Sequence, residues 1–259
     1  MNIQAPLAPE PIAQLGPIVI TNSMFTAVVV MVILCILAWL GTRKMQLVPG
    51  RYQSMLEMAL QFLLDLSEST AGKRVGRKIF PLIATFFIFI LMANWIGLMP
   101  GFGSIEVAPL HAASQAAEHV EKVPLLRSVN SDLNMTAAMA LLSITVVQVL
   151  GVVYSGVKGY LKHLATPVFL LPVHILSEIS HVISLAARLF GNIFGGEVLL
   201  VVMYALVPLL VPTVFLGLEV LFGFIQALIF TVLSVVYIAL ATTHAPDGHE
   251  AEPKAVAAH

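Results

Sequence analysis

Charge is scarce in this sequence. Only 10% of its 259 residues are Asp, Glu, Lys or Arg, while 59% are hydrophobic; an ordinary soluble domain carries roughly 25% charged residues. A water-soluble fold has no means of hiding so much apolar surface, and a bilayer has. The formal charges sum to −1, which leaves no basic face for a nucleic acid. Cysteine is nearly absent. Cys35 stands alone inside an apolar run, forms no internal disulfide, and reads as a small core side chain. Lys and Arg are missing from the first 42 residues, so the basic start of a secretory signal is missing as well. Neither HExxH nor GxSxG occurs, which removes the common metal and nucleophile motifs of an intramembrane enzyme.

What is present is a series of apolar runs. Residues 1–17 are Pro/Ala/Gln-rich and read as an exposed tail, and 18–41 form a first span. At about 1.5 Å per residue such a run crosses an apolar layer of about 30 Å. In 51–70, Glu57, Gln61, Asp65 and Glu68 recur at helical spacing among Met, Leu and Phe; this predicts an amphipathic helix at the membrane surface. Spans are expected at 79–99 and 135–157, separated by a polar external loop at 100–134. Asp132 and Asn134 stand where the 135–157 helix begins, the place for an N-cap. Trp39 and Trp95, near span ends, read as interface anchors.

Orientation is read from Lys and Arg. Segment 42–78 has seven of them (Arg43, Lys44, Arg51, Lys73, Arg74, Arg77, Lys78) and 157–163 has Lys158 and Lys162. These connections are expected in the cytoplasm, together with a polar, disordered tail at 244–259. The N-terminus and the 100–134 loop are then outside.

The last two apolar segments, 166–207 and 209–243, are too long for an upright crossing. No proline interrupts between Pro172 and Pro208, so one helix of about 35 residues, roughly 52 Å, is expected there, and about 30 residues, roughly 45 Å, after Thr213. A steeply tilted hairpin resolves the mismatch with the ~30 Å hydrocarbon layer; a break at Gly195–Gly196 is the competing explanation. The fold class is all-α: a polytopic membrane protein of about five embedded helices plus the interfacial one, forming a single membrane domain over 18–243.

From Leu164 to Ala241 only four charged side chains occur: Glu178, Arg188, Glu197 and Glu219. Each costs around 2.5–3.5 kcal/mol at the centre of a span, on the order of 10 kcal/mol together, so an ion path is the default hypothesis. At 100° per residue, His174, Glu178, His181, Arg188 and Asn192 fall within about 80° of one another as one polar stripe. Glu197 lies nearly opposite Arg188. Ser177, Ser180, Ser184, Gly191 and Gly195 form a ridge of small residues beside the stripe, which lets another helix approach closely. Glu219 and Gln226 share a face of the last helix, with Tyr237 roughly in line. Arg188 never deprotonates, so it fixes a positive charge but relays no proton; Glu and His are suited to relay. Competing explanations are a static ion pair of Arg188 with Glu178 or Glu197, and a metal held by His174, Glu178 and His181, whose spacing is not a zincin signature.

SLAARLFGNIFGGE (184–197) resembles the signature of subunit a of F-type ATP synthases, the membrane stator against which a rotor ring turns. FIQALIFTVLSVVYIAL (224–240), NWIGLMPG (94–101), SDLNMTAAMAL (131–141) and ITNSMF (20–25) are similar to further motifs of that family. The resemblance implies that Arg188 is the essential arginine facing the ring carboxylates. Asn192 and Glu197 would line the outer half-channel, and Gln226 would pack near the arginine. Glu219 would be a titratable residue of the entry, and Glu178 with His174 would line the cytoplasmic half-channel. Ser184, Gly191 and Gly195 would face the ring. The sequence departs from the family pattern at His174, where Asn or Glu is usual, and at His181, where Lys or Arg is common. Implied partners are the ring of c subunits, the b or b′ subunits of the peripheral stalk, the rest of the complex and membrane lipid. No cofactor or metal is implied, and the location is the inner (plasma) membrane. Two rival readings are a secondary transporter, which would show paired repeats with broken helices, and the intramembrane enzyme already set aside.

Overall fold

The computed structural model describes residues 9–15, 18–43, 45–46, 48, 50–99, 105–107, 123–165, 171–207 and 210–243. The expected tails at 1–8 and 244–259, much of the 100–134 loop and the start of the 166–207 segment lie outside the described residues. Two short strands, β1 (Pro11–Leu15) and β2 (Ile18–Thr21), pair antiparallel. After them come α1 (Asn22–Thr42), α2 (Arg51–Gly97), a two-stranded pair of β3 (Glu106–Val107) with β4 (Val123–Pro124), α3 (Leu133–Ala165), α4 (Leu171–Leu206) and α5 (Leu210–Thr243). Among the described residues five helices are long and apolar enough to cross a membrane. The architecture is an all-α polytopic membrane protein.

The N-terminal boundary differs from the expected one. Residues 18–21 are extended and hydrogen-bonded to 11–15. The helix starts at Asn22 because Thr21 caps it, its hydroxyl accepting from Met24 N at 3.4 Å. Residues 11–15 are thereby part of a hairpin and not a free tail.

In α2 the helix passes through Gly72, whose φ of 76° and ψ of 156° are not helical. Only glycine takes that conformation at little cost, and it folds the amphipathic segment back against residues 73–78. Gly76 then lies so near the backbone of Ser67 and Glu68 that a Cβ would stand 2.6 Å from Ser67 O. Arg77 Nε donates to Glu68 Oε1 at 2.6 Å across the same bend. The amphipathic segment is anchored by Leu63 and Ser67, both buried, while Tyr52, Met55 and Met58 stay exposed. A second positive-φ glycine, Gly156 (φ 71°), bends α3 past the end of its apolar stretch.

The core lies among α2, α3, α4 and α5. Phe86 meets Phe230 edge-on at 5.7 Å and Phe87 meets Phe224 at 5.8 Å, tying α2 to α5. Leu185, Ala186 and Leu189 of α4 join the same cluster. Polar pairs stitch the helices as well: Ser143 and Ser234 hydroxyls are 2.8 Å apart between α3 and α5, and Asn94 Nδ2 donates to Gly223 O at 3.0 Å. Such bonds suit an apolar medium, where water offers no alternative partner. Trp95 joins them, its indole N–H donating to Val220 O at 3.2 Å, so its role is to tie α2 to α5 and not merely to anchor at an interface. Trp39 stands apart on α1, with the Arg43 guanidinium 4.9 Å above its ring.

Cys35 is exposed, against the expectation of a core position. The reason is general to α1. Only Asn22, Ser23, Thr26 and Val30 of this helix are buried, because in a bilayer the solvent is itself apolar and a helix need not bury its apolar faces in protein.

At the start of α3, Asp132 does cap the helix. Its Oδ1 accepts from Asn134 N at 2.9 Å, and its Oδ2 also accepts from Ser23 Oγ at 2.5 Å. Arg127 N donates to Thr26 Oγ1 at 3.2 Å. The buried half of α1 is thus held through polar contacts from the segment before α3.

Candidate ion-translocation site

Helix α4 positions most of the candidate residues. It runs unbroken through Gly195 and Gly196 over 36 residues, and neither glycine has positive φ; the alternative of a break there is overturned. No proline removes a backbone donor between Val173 and Leu206, and a continuous i→i−4 ladder satisfies every amide in an apolar medium.

Leu185, Ala186, Leu189 and Ile193 face inward. Ser184, Arg188, Gly191 and Gly195 are all exposed. A Cβ added at Gly191 or Gly195 would meet nothing within 4 Å, so the space before this stripe is open. Among the described residues Arg188 makes no hydrogen bond and no salt bridge. The static-pair explanation for Arg188 has no support in this geometry.

The polar stripe read as one unit divides in two. His174, Glu178 and His181 line a cavity of about 170 Å³ closed by α3 and α5, whereas Arg188 is outside it and faces outward. Packed helices cross at an angle, so a single face is covered at one end and bare further along; equal angular position on a wheel does not imply a common environment. The cavity's other polar walls are Gln148, Ser155 and Tyr160 of α3 and Tyr237 of α5. Tyr160 O–H donates to Gln148 Oε1. Burial, and after it the negative charge of Glu178, push the Tyr160 phenol above its ordinary range, so it stays protonated. Glu178 Oε2 is buried with no hydrogen-bond partner. Among the described residues no three or more His, Cys, Asp or Glu side chains converge as a metal site.

Beyond Arg188 the geometry tightens. Glu219 of α5 is buried, and its carboxylate rests against Gly196 of α4: a Cβ there would collide with Glu219 Oε1 and stand 2.8 Å from Cδ. Glu197 is half-buried and near enough for its charge to act on Glu219. Each of these two carboxylates has a buried Oε2 without a hydrogen-bond partner. Gln226 is buried two turns along α5, and Asn192 is half-buried on α4. Along the α4 axis Glu178 lies about 15 Å before Arg188 and Glu197 about 13.5 Å after it. Two acidic groups therefore stand on opposite sides of an unpaired cation.

Sequence reasoning passed over Gln148, Tyr160 and Asn94. The signal was available, since an amide or phenol inside an apolar helix costs free energy just as a charge does, though less.

The fold and the site together define a multi-pass membrane protein with ionisable side chains at the depth of its spans. Comparison with known families is specific: residues 24–239 match the family described as ATP synthase A chain, and the chain belongs to that family. It is 37% identical over 232 residues to ATP synthase subunit a of Moorella thermoacetica, covering 89% of this chain and 95% of that protein. The corresponding protein of Gloeobacter violaceus is 35% identical, with 91% and 90% covered. ATP synthase subunit a 1 of Syntrophotalea carbinolica is 38% identical, with 81% of each covered.

Proposed function

We propose that this chain is the stator subunit of a rotary F-type ATP synthase, forming two offset proton half-channels against the ring of c subunits. The observation that carries this reading is the state of Arg188: a permanent cation, exposed on α4, without an acidic partner among the described residues, on a face cleared by Ser184, Gly191 and Gly195. A bare guanidinium in an apolar layer is costly, and a carboxylate presented by a neighbouring rotor removes that cost in turn. Membership of the family, at the identities above, supports the same assignment.

The half-channels are built from the two acidic regions. A proton from outside passes by Glu219 and Glu197, with Asn192 and Gln226 beside the path, and protonates a ring carboxylate, which then turns into lipid as a neutral acid. After nearly a full revolution it reaches the cytoplasmic cavity, where Glu178 and His174 accept the proton. Arg188 stabilises the carboxylate left behind and repels protons that would cross directly between the two sides. Each charge moved gains about 2.3 kcal/mol per 100 mV, so several protons accompany each ATP made. α4 and α5, 36 and 34 residues long, exceed the ~30 Å hydrocarbon layer and lie as a tilted hairpin along the ring. The chain itself carries out no covalent step. It works with the c-ring, the b or b′ stalk and the remaining subunits, in the inner (plasma) membrane, N-terminus outside and C-terminus in the cytoplasm.

The test is Arg188→Ala in the assembled complex. ATP-driven proton pumping into vesicles is expected to be abolished; coupled pumping at the normal rate would overturn the assignment.

A further inference from the structure

The cytoplasmic cavity holds one titratable side chain to which the proton path just described gives no task, His181. Its imidazole lies flat against Tyr237 of α5, with ring centres 4.3 Å apart and 18° between the planes. It shares the cavity with Glu178 and His174, one face of α4 at i, i+4, i+7. Of the three it stands nearest to Arg188, seven residues or about 10.5 Å along the helix axis, against about 15 Å for Glu178. Along the helix axis His181 lies between Arg188 and Glu178.

Stacking fixes the plane of the imidazole and leaves both ring nitrogens at its edge, where one can accept a proton while the other gives one up. The groups facing it are Tyr237 from α5, Tyr160 from α3, and Glu178 and His174 on its own helix. Tyr160 is committed to Gln148, whereas Glu178 Oε2 has no hydrogen-bond partner. An imidazolium formed here would be met by a carboxylate with a free oxygen. A Lys or Arg at this place would hold a fixed charge and carry nothing.

We propose that His181 is the innermost proton carrier of the cytoplasmic path, with Tyr237 as its positioning residue. The inference rests on the proposed function and adds a group to it. The steps balance. The O–H bond of the rotor's carboxylic acid breaks, leaving a carboxylate before Arg188, and an N–H bond forms on neutral His181. That imidazolium then loses its proton, through water in the cavity, to the carboxylate of Glu178. The new O–H bond on Glu178 breaks in turn towards His174 and the cytoplasm.

The experiment uses vesicles carrying the complex, with its ATP-hydrolysing sector removed, and measures passive proton flux across the neutral pH range, normalised to assembled complex. His181→Phe keeps a ring against Tyr237 and removes both nitrogens. Its flux is expected to fall about 100-fold, the lower end of what a positioned acid–base group supplies, and its pH profile to differ from that of wild type. His181→Ala opens room for free imidazole, which is expected to restore flux; His181→Arg is expected to lose flux without rescue. Tyr237→Leu is expected to lower flux while keeping the wild-type pH profile. Wild-type flux and pH profile in His181→Phe would overturn the proposal, as would a loss in His181→Ala that imidazole does not repair and that leaves the profile unchanged. Arg188→Ala in unstripped vesicles separates the two levels: intact ATP-driven pumping there overturns the parent reading, while lost pumping beside a normal His181→Phe overturns this inference alone.

Discussion

The two ends of α4 place acidic groups in opposite surroundings. Towards the start of α4, Glu178 borders a cavity of about 170 Å³ with polar walls from two other helices. Towards the other end Glu219 rests against α4 at Gly196, where an added Cβ would meet its carboxylate. One end has a cavity with space for water among several titratable side chains; at the other, Glu197 is near enough for its charge to act on Glu219. The difference predicts that side-chain volume is the sensitive variable at the Gly196–Glu219 contact, whereas acid–base chemistry is the sensitive variable at the cavity around Glu178.

That contrast is open to attack in order of expected effect. Gly196→Val should do the most damage, because its branched side chain occupies the place of the Glu219 carboxylate and drives that carboxylate out of its contact with α4. Overpacking of this kind costs about 1–3 kcal/mol, and ATP-driven pumping by the assembled complex should be nearly lost; pumping at half the wild-type rate or more would mean that the outer contact is loose. Next come Glu219→Gln and Glu197→Gln, which preserve volume and remove charge. Graded losses of proton flux are expected from the single variants and a larger one from the pair, and an unaltered flux in the double variant would take both residues off the path. Least harmful should be Val147→Leu, an added methylene at the wall of the cytoplasmic cavity. Where a void receives the extra atoms the cost stays below about 1.5 kcal/mol, so flux within twofold of wild type is expected; a loss like that of Gly196→Val would erase the distinction between the two ends.

Much of the architecture was legible in the sequence, because in a bilayer hydrophobicity and length alone decide which segments span. The apolar runs announced the helices, and the freedom of 173–207 from proline favoured an uninterrupted α4 over a break at Gly195–Gly196. Less legible were contacts that depend on neighbours. Asn94 and Trp95 look like ordinary polar residues near the end of an apolar run, yet each bonds to a backbone carbonyl of α5. Cys35 was expected inside and lies outside, since hydrophobicity ceases to discriminate core from surface when the surroundings are lipid. The residues of 11–21 carry no strong strand pattern, and their hairpin is fixed by pairing that periodicity does not reveal.

The candidate site divides along the same line. Which side chains are ionisable, and that so few of them interrupt some seventy-eight residues (164–241) of apolar sequence, is set by composition and by the cost of charge in hydrocarbon. Their membership of one helix face is set by the 3.6-residue turn. Whether that face is covered or bare was decided only by packing: α3 and α5 close over His174, Glu178 and His181 but leave Arg188 uncovered, because straight helices that cross at an angle touch over a limited length. The stacking of His181 on Tyr237 and the fit of Glu219 to Gly196 arise the same way, from side chains on different helices, and no spacing within one helix encodes them.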